Sequence, residues 1–490
     1  MKHSSKILLF VLVAAIAFFG CEHEDDNSVP ADIAINNFIW KGLNQYYLWQ
    51  AEVPDLSDSR FADQSALNKY LYTYQNPQNL FQDLLNKPAS DFPPENQNQT
   101  VDRFSVLFSD YNLLEGLLSG TTKNNGVDFA LYYKDATRTT IIGVVRYILP
   151  NSNAVGEDIY RGDIIYAVNG TELTISNYQQ LLGNDSYTLD LADYDNGNII
   201  PNGRSVNLSK TVLSENPVYI TDVIISGSHK IGYLMYNGFF PNFESQLNDA
   251  FGELKSQGIT EFVLDLRYNS GGSIATATHL ASMITGQFNG QVFAKEQWNA
   301  KLEDYYSTNP ATLFNYFTNK INTGAAINSL NLTKIYVLTT KSTASASELV
   351  VNGLKPYINV VQIGDETVGK NVGSVTLYDS PTFRKTDINP SHRYAMQPLV
   401  LKIVNKVGFG DYINGLQPDD LLEEDFDNLG ILGDLSEPLL SAAITRILGG
   451  GRMMPKNPKN IHQQVVEKDQ LKLLENEMYL ETIPNGFPIK

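Results

Sequence analysis

The chain has 490 residues, with 36 Lys and Arg against 54 Asp and Glu, a net charge of −18. That balance, with no basic stripe along the chain, argues against a nucleic-acid partner, whose phosphates need clustered cations. A single cysteine, Cys21, rules out an intrachain disulfide framework, and neither an internal repeat nor a metal-ligand cluster is present, so no metal and no cofactor are expected.

At the N-terminus Lys2 and Lys6 precede an apolar run, Ile7 to Phe19, that ends in Gly20-Cys21. The run is shorter than the ~20 residues that span a bilayer; with its basic start and small-residue end it reads as a secretory signal over 1–20. Gly20-Cys21 resembles the lipidation site of a bacterial lipoprotein. The expectation is a protein lipid-anchored through Cys21 in the cell envelope, on the periplasmic side of a membrane, the outer one first, or at the cell surface. Residues 21–30 are acidic and polar and read as a tether. The chain beyond it exceeds what one core organises, and three domains are expected.

Residues 31–115 read as a helical domain. Asp32 is placed to cap a helix in which Ile35, Phe38, Ile39, Leu43, Tyr46 and Tyr47 recur at helical spacing. Asp102-Arg103-Phe104-Ser105 follows a loop around Pro93-Pro94. Residues 124–212 carry strand patterns and an Asn169-Gly170 hairpin turn, and with Pro150–Ala154 and Tyr160–Asp163 they resemble a PDZ module. Such a module takes a peptide as an added strand. Gly126, Val127, Asp128 and Phe129 stand at its carboxylate loop, where Asp128 replaces a glycine and would repel a terminal carboxylate; a gate or a general binder of unfolded peptide is the other reading.

From 217 to 450 strands alternate with helices, the pattern of an α/β sheet. Ile231–Met235 and Phe262–Leu266 read as strands, Phe243–Lys255 and Ile274–Ile284 as helices, and Gly271-Gly272 as a sharp turn between strand and helix. Ile335–Leu338 is a strand and Ala344–Leu354 a helix stopped by Pro356, so Ser345 sits where one hands over to the other, beside the free N–H groups of a first helical turn. Asn359–Ile363 is the next strand, and in a parallel sheet its following loop, with Lys370, would share an edge with Ser345. A hydroxyl becomes a nucleophile when a neighbour takes its proton, and a desolvated lysine can serve. Locally, Ser345 with Glu348 is also a capping box, and Lys370 an ordinary loop lysine. Gly364 to Lys370 also has the spacing of a phosphate-binding loop, but Asn371 stands where a magnesium-binding hydroxyl belongs, Asp365 and Glu366 repel phosphate, and a strand follows where a helix should.

Ser345-Ala346-Ser347-Glu348, Gly364-x-x-Thr367-x-Gly369-Lys370 and Asp265–Gly272, with Gly415-x-x-Pro418-Asp419 further on, together resemble the C-terminal processing peptidases, or tail-specific proteases. The resemblance covers most of the chain. It implies a multidomain α+β and α/β protein: a helical N-terminal domain, a PDZ-like β domain and a crotonase-like α/β domain carrying a Ser-Lys serine endopeptidase. It implies Ser345 as nucleophile before Ser342 or Ser347, Lys370 as general base, and the N–H groups of Gly271, Gly272 and Ala346 as oxyanion hole. Many members carry a lysine-orienting glutamine where this chain has Ser374. Asp265 and Arg267 read as structural; His279 falls in the helix after the glycine block, His229, His392 and His462 are isolated, and each reads as a surface or satisfied core histidine. The implied partners are unfolded or tail-exposed proteins; a non-proteolytic lipoprotein holding peptides or apolar ligands on the same scaffold is the alternative. Residues 451–490, with a charged helical pattern around Glu467–Glu477, read as a surface extension or partner contact. Oligomeric state is left open.

Overall fold

The structure, a computed structural model, describes residues 28–91, 99–451, 462–465, 474, 476–484 and 487. The signal over 1–20, Cys21 and most of the tether lie outside the described residues, as does most of the helical pattern near Glu467. Among the described residues no helix is long and apolar enough to cross a membrane. The chain divides into two compact units: one comprises the residues up to Gln45 with Trp49–Val101, the other Tyr46–Leu48 with everything from Asp102 onward.

The first unit is helical, as the periodicity predicts: α1 (Ala34–Tyr46), α2 (Gln64–Leu71) and α3 (Pro77–Asp83). Ile39, Leu43, Leu71, Leu80 and Phe81 are fully buried, and Asn36 Nδ2 donates to Leu71 O at 3.1 Å and Tyr74 O at 2.9 Å. Asp32 does not cap α1, because a 3-10 turn over Ala31–Ile33 begins at Pro30 and draws Asp32 into it, where it accepts from Tyr72 Oη. The helical unit also ends earlier than the pattern suggested. Residues from 102 onward pack with the larger unit, in which Val106–Phe108 pairs antiparallel with Ala395–Gln397.

A small antiparallel sheet comes next in the larger unit, formed by β1 (Val127–Tyr133), β2 (Ile141–Ile148), β3 (Ile164–Val168), β4 (Ser186–Asp195) and β5 (Asn198–Ser209) in that order, with the helix α4 (Tyr178–Gly183) between β3 and β4. Asn169 and Gly170 turn at φ +51° and +74°, the left-handed pair that a two-residue hairpin requires.

The central sheet contains β6 (Val218–Ser226), β7 (His229–Tyr236), β8 (Glu261–Asp265), β12 (Lys334–Thr339), β13 (Asn359–Gly364) and β16 (Asp420–Leu421), hydrogen-bonded in that order. All neighbours except β6 and β7 are parallel. From Ile335 to Thr339 every residue is buried, the continuous run expected of a strand covered on both faces. One face, with Ile231, Tyr233, Val263, Leu338 and Ile363, packs on α8 (Pro438–Ile447) through Leu439, Leu440 and Ala443; each such large aliphatic contributes about 1.5–3 kcal/mol. The helices α5 (Glu244–Ser256), α6 (Ile274–Thr285) and α7 (Ala346–Leu354) connect the strands.

A second sheet orders β9 (Gly272–Ser273), β17 (Met478–Leu480), β14 (Val372–Val375), β15 (Leu399–Asn405), β10 (Val292–Trp298) and β11 (Phe314–Tyr316). The last strand among the described residues therefore lies between the glycine turn and the strand that follows Lys370. In the central sheet, the carboxyl ends of β8, β12 and β13 share one edge, with Asp265 paired to Leu338 and Thr339 to Gly364. Clefts at that edge are where open parallel sheets bind ligands.

Candidate active site

Ser345 occupies the junction of β12 and α7 at φ +64° and ψ −115°, a conformation that costs a residue with a Cβ about 1–3 kcal/mol and persists only where the surroundings impose it. They do so through Glu348. Its Oε2 accepts from the N–H of Ser345 at 2.7 Å and from the N–H of Lys370 at 2.9 Å, while Oε1 accepts from the N–H of Gly369 at 2.7 Å and from the Thr367 hydroxyl. The serine and lysine backbones thus meet on one carboxylate oxygen, and their nitrogens are no further apart than those two bonds laid end to end. Burial pushes the Glu348 carboxyl above its ordinary value, against the four donors that favour its charged form.

The backbone half of the expected capping box is present, whereas Ser345 Oγ is fully buried and, among the described residues, has no hydrogen-bond partner. The neighbouring hydroxyls are engaged: Ser342 Oγ accepts from Arg146 Nη2 at 2.7 Å and Ser347 Oγ donates to Asn269 O at 3.0 Å. Lys370 has no exposed surface either. Its Nζ stands 3.3 Å from Glu477 Oε1 and 4.5 Å from the centre of the Phe104 ring. Burial holds the ammonium below the ordinary lysine value while the Glu477 carboxylate and, more weakly, Asp102 pull it back up.

The glycine turn abuts the serine. A Cβ on Gly271, at φ +113°, would come 2.7 Å from Ser345 Cβ, 3.1 Å from Ala346 N and 2.3 Å from Glu477 O, so no side chain fits there. The Gly271 N–H donates to Asn269 Oδ1 at 2.9 Å, and the Gly272 N–H donates to the Glu477 carbonyl at 2.5 Å. Of the expected glycine donors, only Gly272 has its amide on a carbonyl outside the turn. Ala346 opens α7, so its N–H belongs to the first turn, whose amides have no intrahelical acceptor.

Ser374 is fully buried; its hydroxyl donates to Glu477 Oε2 at 2.7 Å and accepts from Gln397 Nε2 at 2.9 Å. A glutamine from a different strand is therefore joined to the lysine's carboxylate partner through the Ser374 hydroxyl. Arg103 Nη2 donates to Gly369 O at 2.6 Å, and Asp102 accepts from the N–H groups of Phe104 and Ser105, so residues 102–105 form one wall of the lysine site. Gly369, at φ +85°, has no room for a Cβ against Ile413 O at 2.3 Å, and Leu416 N donates to Thr367 Oγ1 at 2.7 Å, which joins the 415–419 segment to the lysine loop.

The phosphate-loop alternative fails here: the amides of Gly369 and Lys370 are taken by a carboxylate, and the chain continues into β14. Each of the four histidines has a partner elsewhere, Glu261 for His229, Glu244 for His279, Asp379 for His392 and Tyr133 O for His462. At the expected carboxylate loop, Asp128 lies 3.7 Å from the Arg146 guanidinium, and the N–H of Val127 donates to Asn125 Oδ1. Glu477 and Gln397 escaped the sequence reading as site residues, Arg103 and Phe104 entered it only as part of the 102–105 motif, and Glu348 only as a cap.

The sequence matches the Peptidase family S41 model over residues 230–381 and the Peptidase S41 N-terminal domain over 34–106. It is 29% identical over 281 residues to carboxyl-terminal-processing peptidase 2, chloroplastic, of Arabidopsis thaliana, across 55% of this chain and 50% of the relative. It is 26% identical over 304 residues to the chloroplastic C-terminal processing peptidase of Tetradesmus obliquus, across 57% of this chain and 61% of the relative. The chain thus spans about half of the length of the curated relatives it matches. Among solved structures, a Bacteroides fragilis protein assigned to the S41 proteases superposes with a TM-score of 0.63 at 26% identity, over 84% of this chain and 97% of that one.

Proposed function

The chain belongs to peptidase family S41, and on that premise we propose that it is a serine endopeptidase in which Ser345 attacks the peptide carbonyl and Lys370 takes the hydroxyl proton. The observation that carries this reading is the Glu348 carboxylate, which binds the Ser345 and Lys370 amides together while the side chain of each is buried. A neutral amine in low dielectric is a competent base for a hydroxyl, and burial moves Lys370 in that direction. The developing oxyanion would be met by the N–H groups of Gly272 and Ala346, donors whose removal costs other hydrolases about 2.7–4 kcal/mol each. The leaving amine then takes its proton from the lysine, and water repeats the sequence on the acyl-serine.

The β1–β5 domain acts as a PDZ module, the catalytic domain is of the crotonase-like type, the substrates are unfolded or tail-exposed proteins, and Cys21 carries a lipid anchor that places the enzyme in the cell envelope. Casein hydrolysis by wild type and Ser345→Ala is the test. Cleavage lost in the variant supports the assignment, equal cleavage by both defeats it, and no cleavage by a wild type that still binds peptide favours the non-proteolytic binder.

A further inference from the structure

A peptidase whose nucleophile and base both have no exposed surface cannot meet a substrate until something leaves. What lies over them is the C-terminal segment of the chain. Its strand β17 is three residues long and pairs parallel with β9 on one side, Gly272 with Met478 and Ser273 with Tyr479, and with β14 on the other, Ser374 with Tyr479 and Val375 with Leu480. At its head the Glu477 carbonyl accepts from the Gly272 N–H at 2.5 Å and lies against Gly271, on the side where Gly271 also meets Ser345. The Glu477 carboxylate reaches Lys370 Nζ at 3.3 Å and the Ser374 hydroxyl at 2.7 Å. Backbone and side chain together thus occupy both the oxyanion donor and the base.

The same segment fills a second groove. Residues 462–465 lie antiparallel along β1: Tyr133 N donates to Gln463 O at 2.8 Å, Val465 N donates to Leu131 O at 2.9 Å, and Tyr132 bridges to Gln464. Val465 is buried in the apolar cluster that includes Leu131 from β1 and Tyr178 and Leu182 from α4. An extended segment added to a sheet edge, with alternate side chains in pockets, is how a sheet edge recognises peptides.

We infer that residues 462–465 and 476–484 act as an intramolecular pseudosubstrate, one stretch in each peptide groove, and that in trans these grooves take an extended peptide with an aliphatic residue at the Val465 seat and a carboxylate at the Glu477 seat. This rests on the peptidase reading above. The segment is an inhibitor and not a substrate because the Glu477 carboxylate is itself ion-paired to Lys370 and favours the charged form of the base, against the burial that lowers its pKa. Displacement of the segment by a competing peptide, or by loss of the Glu477 charge, exposes Ser345 and frees Lys370.

The test uses the full chain carrying Glu477→Gln, Val465→Asp, or both, with casein turnover as one readout. The second readout is fluorescence anisotropy of a labelled peptide reproducing residues 474–484. Release of a bound segment raises the competent fraction, so each single variant is expected to turn over casein about tenfold faster than wild type, the gain of a site that was mostly closed. The labelled peptide is expected to bind the double variant and not wild type, and to inhibit its turnover. Variants that match wild type in turnover and bind no peptide would show β17 to be an ordinary strand of the sheet and overturn the inference, with the peptidase reading intact. Variants that bind the peptide while neither they nor wild type cleave casein would uphold the seat and remove the peptidase.

Discussion

Two buried cations stand at the same sheet edge, and they are treated in opposite ways. Arg267, with no exposed surface, donates Nε to both Asp265 oxygens at 3.0 Å and closes a two-pronged pair on Glu437, Nη1 at 2.6 Å and Nη2 at 2.9 Å. Glu424 adds a contact at 3.3 Å, and in turn binds Arg161 at 2.7 Å. Lys370, equally buried, has one carboxylate at 3.3 Å and an aromatic face. A fully paired network locks a charge in place and keeps it charged. A sparsely paired lysine can give its proton up, which is the property a base needs. The Asp265 and Arg267 pair holds the strand end four residues before Gly271, which stands against Ser345, and the second cation is the one proposed as the base.

Truncation separates the two most sharply. Arg267→Ala leaves Asp265 and Glu437 buried without their cation and is expected to cost about 3–5 kcal/mol of stability by urea unfolding, the range for one partner lost from a buried pair. Lys370→Ala is expected to keep the fold and lose about 10³-fold in kcat on casein, about 4 kcal/mol of barrier. If instead the arginine variant were stable and the lysine variant unfolded, the contrast would be reversed.

A third buried charge lies between these extremes. Glu296 on β10 accepts from Asn315 Nδ2 at 2.8 Å and Trp298 Nε1 at 3.0 Å but has no cation partner among the described residues, and burial raises its carboxyl to about 7. The folded state favours the protonated form, so its contribution is fully present below the unfolded value, 4.5, and is lost as pH rises through about 7. Between pH ~5 and ~8, wild type should lose about 2–3 kcal/mol relative to Glu296→Gln in urea titrations. A constant difference would mean that the carboxyl is not perturbed. The smallest effect is expected at Glu348→Gln, whose amide must oppose donors on one side of the junction: about 1–3 kcal/mol of stability, with kcat falling as the Ser345 and Lys370 backbones separate. A variant as active as wild type would deny Glu348 its positioning role.

Much of this edge was legible because its signals are local. Apolar runs of strand length, the serine at a strand-to-helix change and the lysine after the next strand place both residues on one edge once β12 and β13 run parallel, as they do. Glu348 was visible as a cap, but its second pair of donors comes from residues 367 to 370, which no local pattern couples to it. Glu477 was hidden for a stronger reason. The Lys, Glu and Leu composition before it is helix-forming, yet pairing between β9 and β14 draws residues 478–480 into a strand, and tertiary pairing outweighs propensity in so short a segment. Phe104 and Arg103 likewise act through contacts with residues more than 260 positions away. Gly271 is a different case. Its motif predicted a donor, but Asn269, two residues before it, takes the amide and uses it to shape the turn.

The central claim is that the amine at 370 serves the hydroxyl at 345, and the most direct measurement is the rate of Ser345 labelling by a fluorophosphonate as a function of pH, for wild type and Lys370→Ala. The groups facing the amine are Glu477, Asp102 and Arg103, and burial outweighs them in lowering its pKa. The wild-type rate should therefore rise with pH and level off below the ordinary lysine value of about 10.4, while the variant labels slowly and without that inflection. Parallel profiles of equal rate in the two proteins would contradict the account.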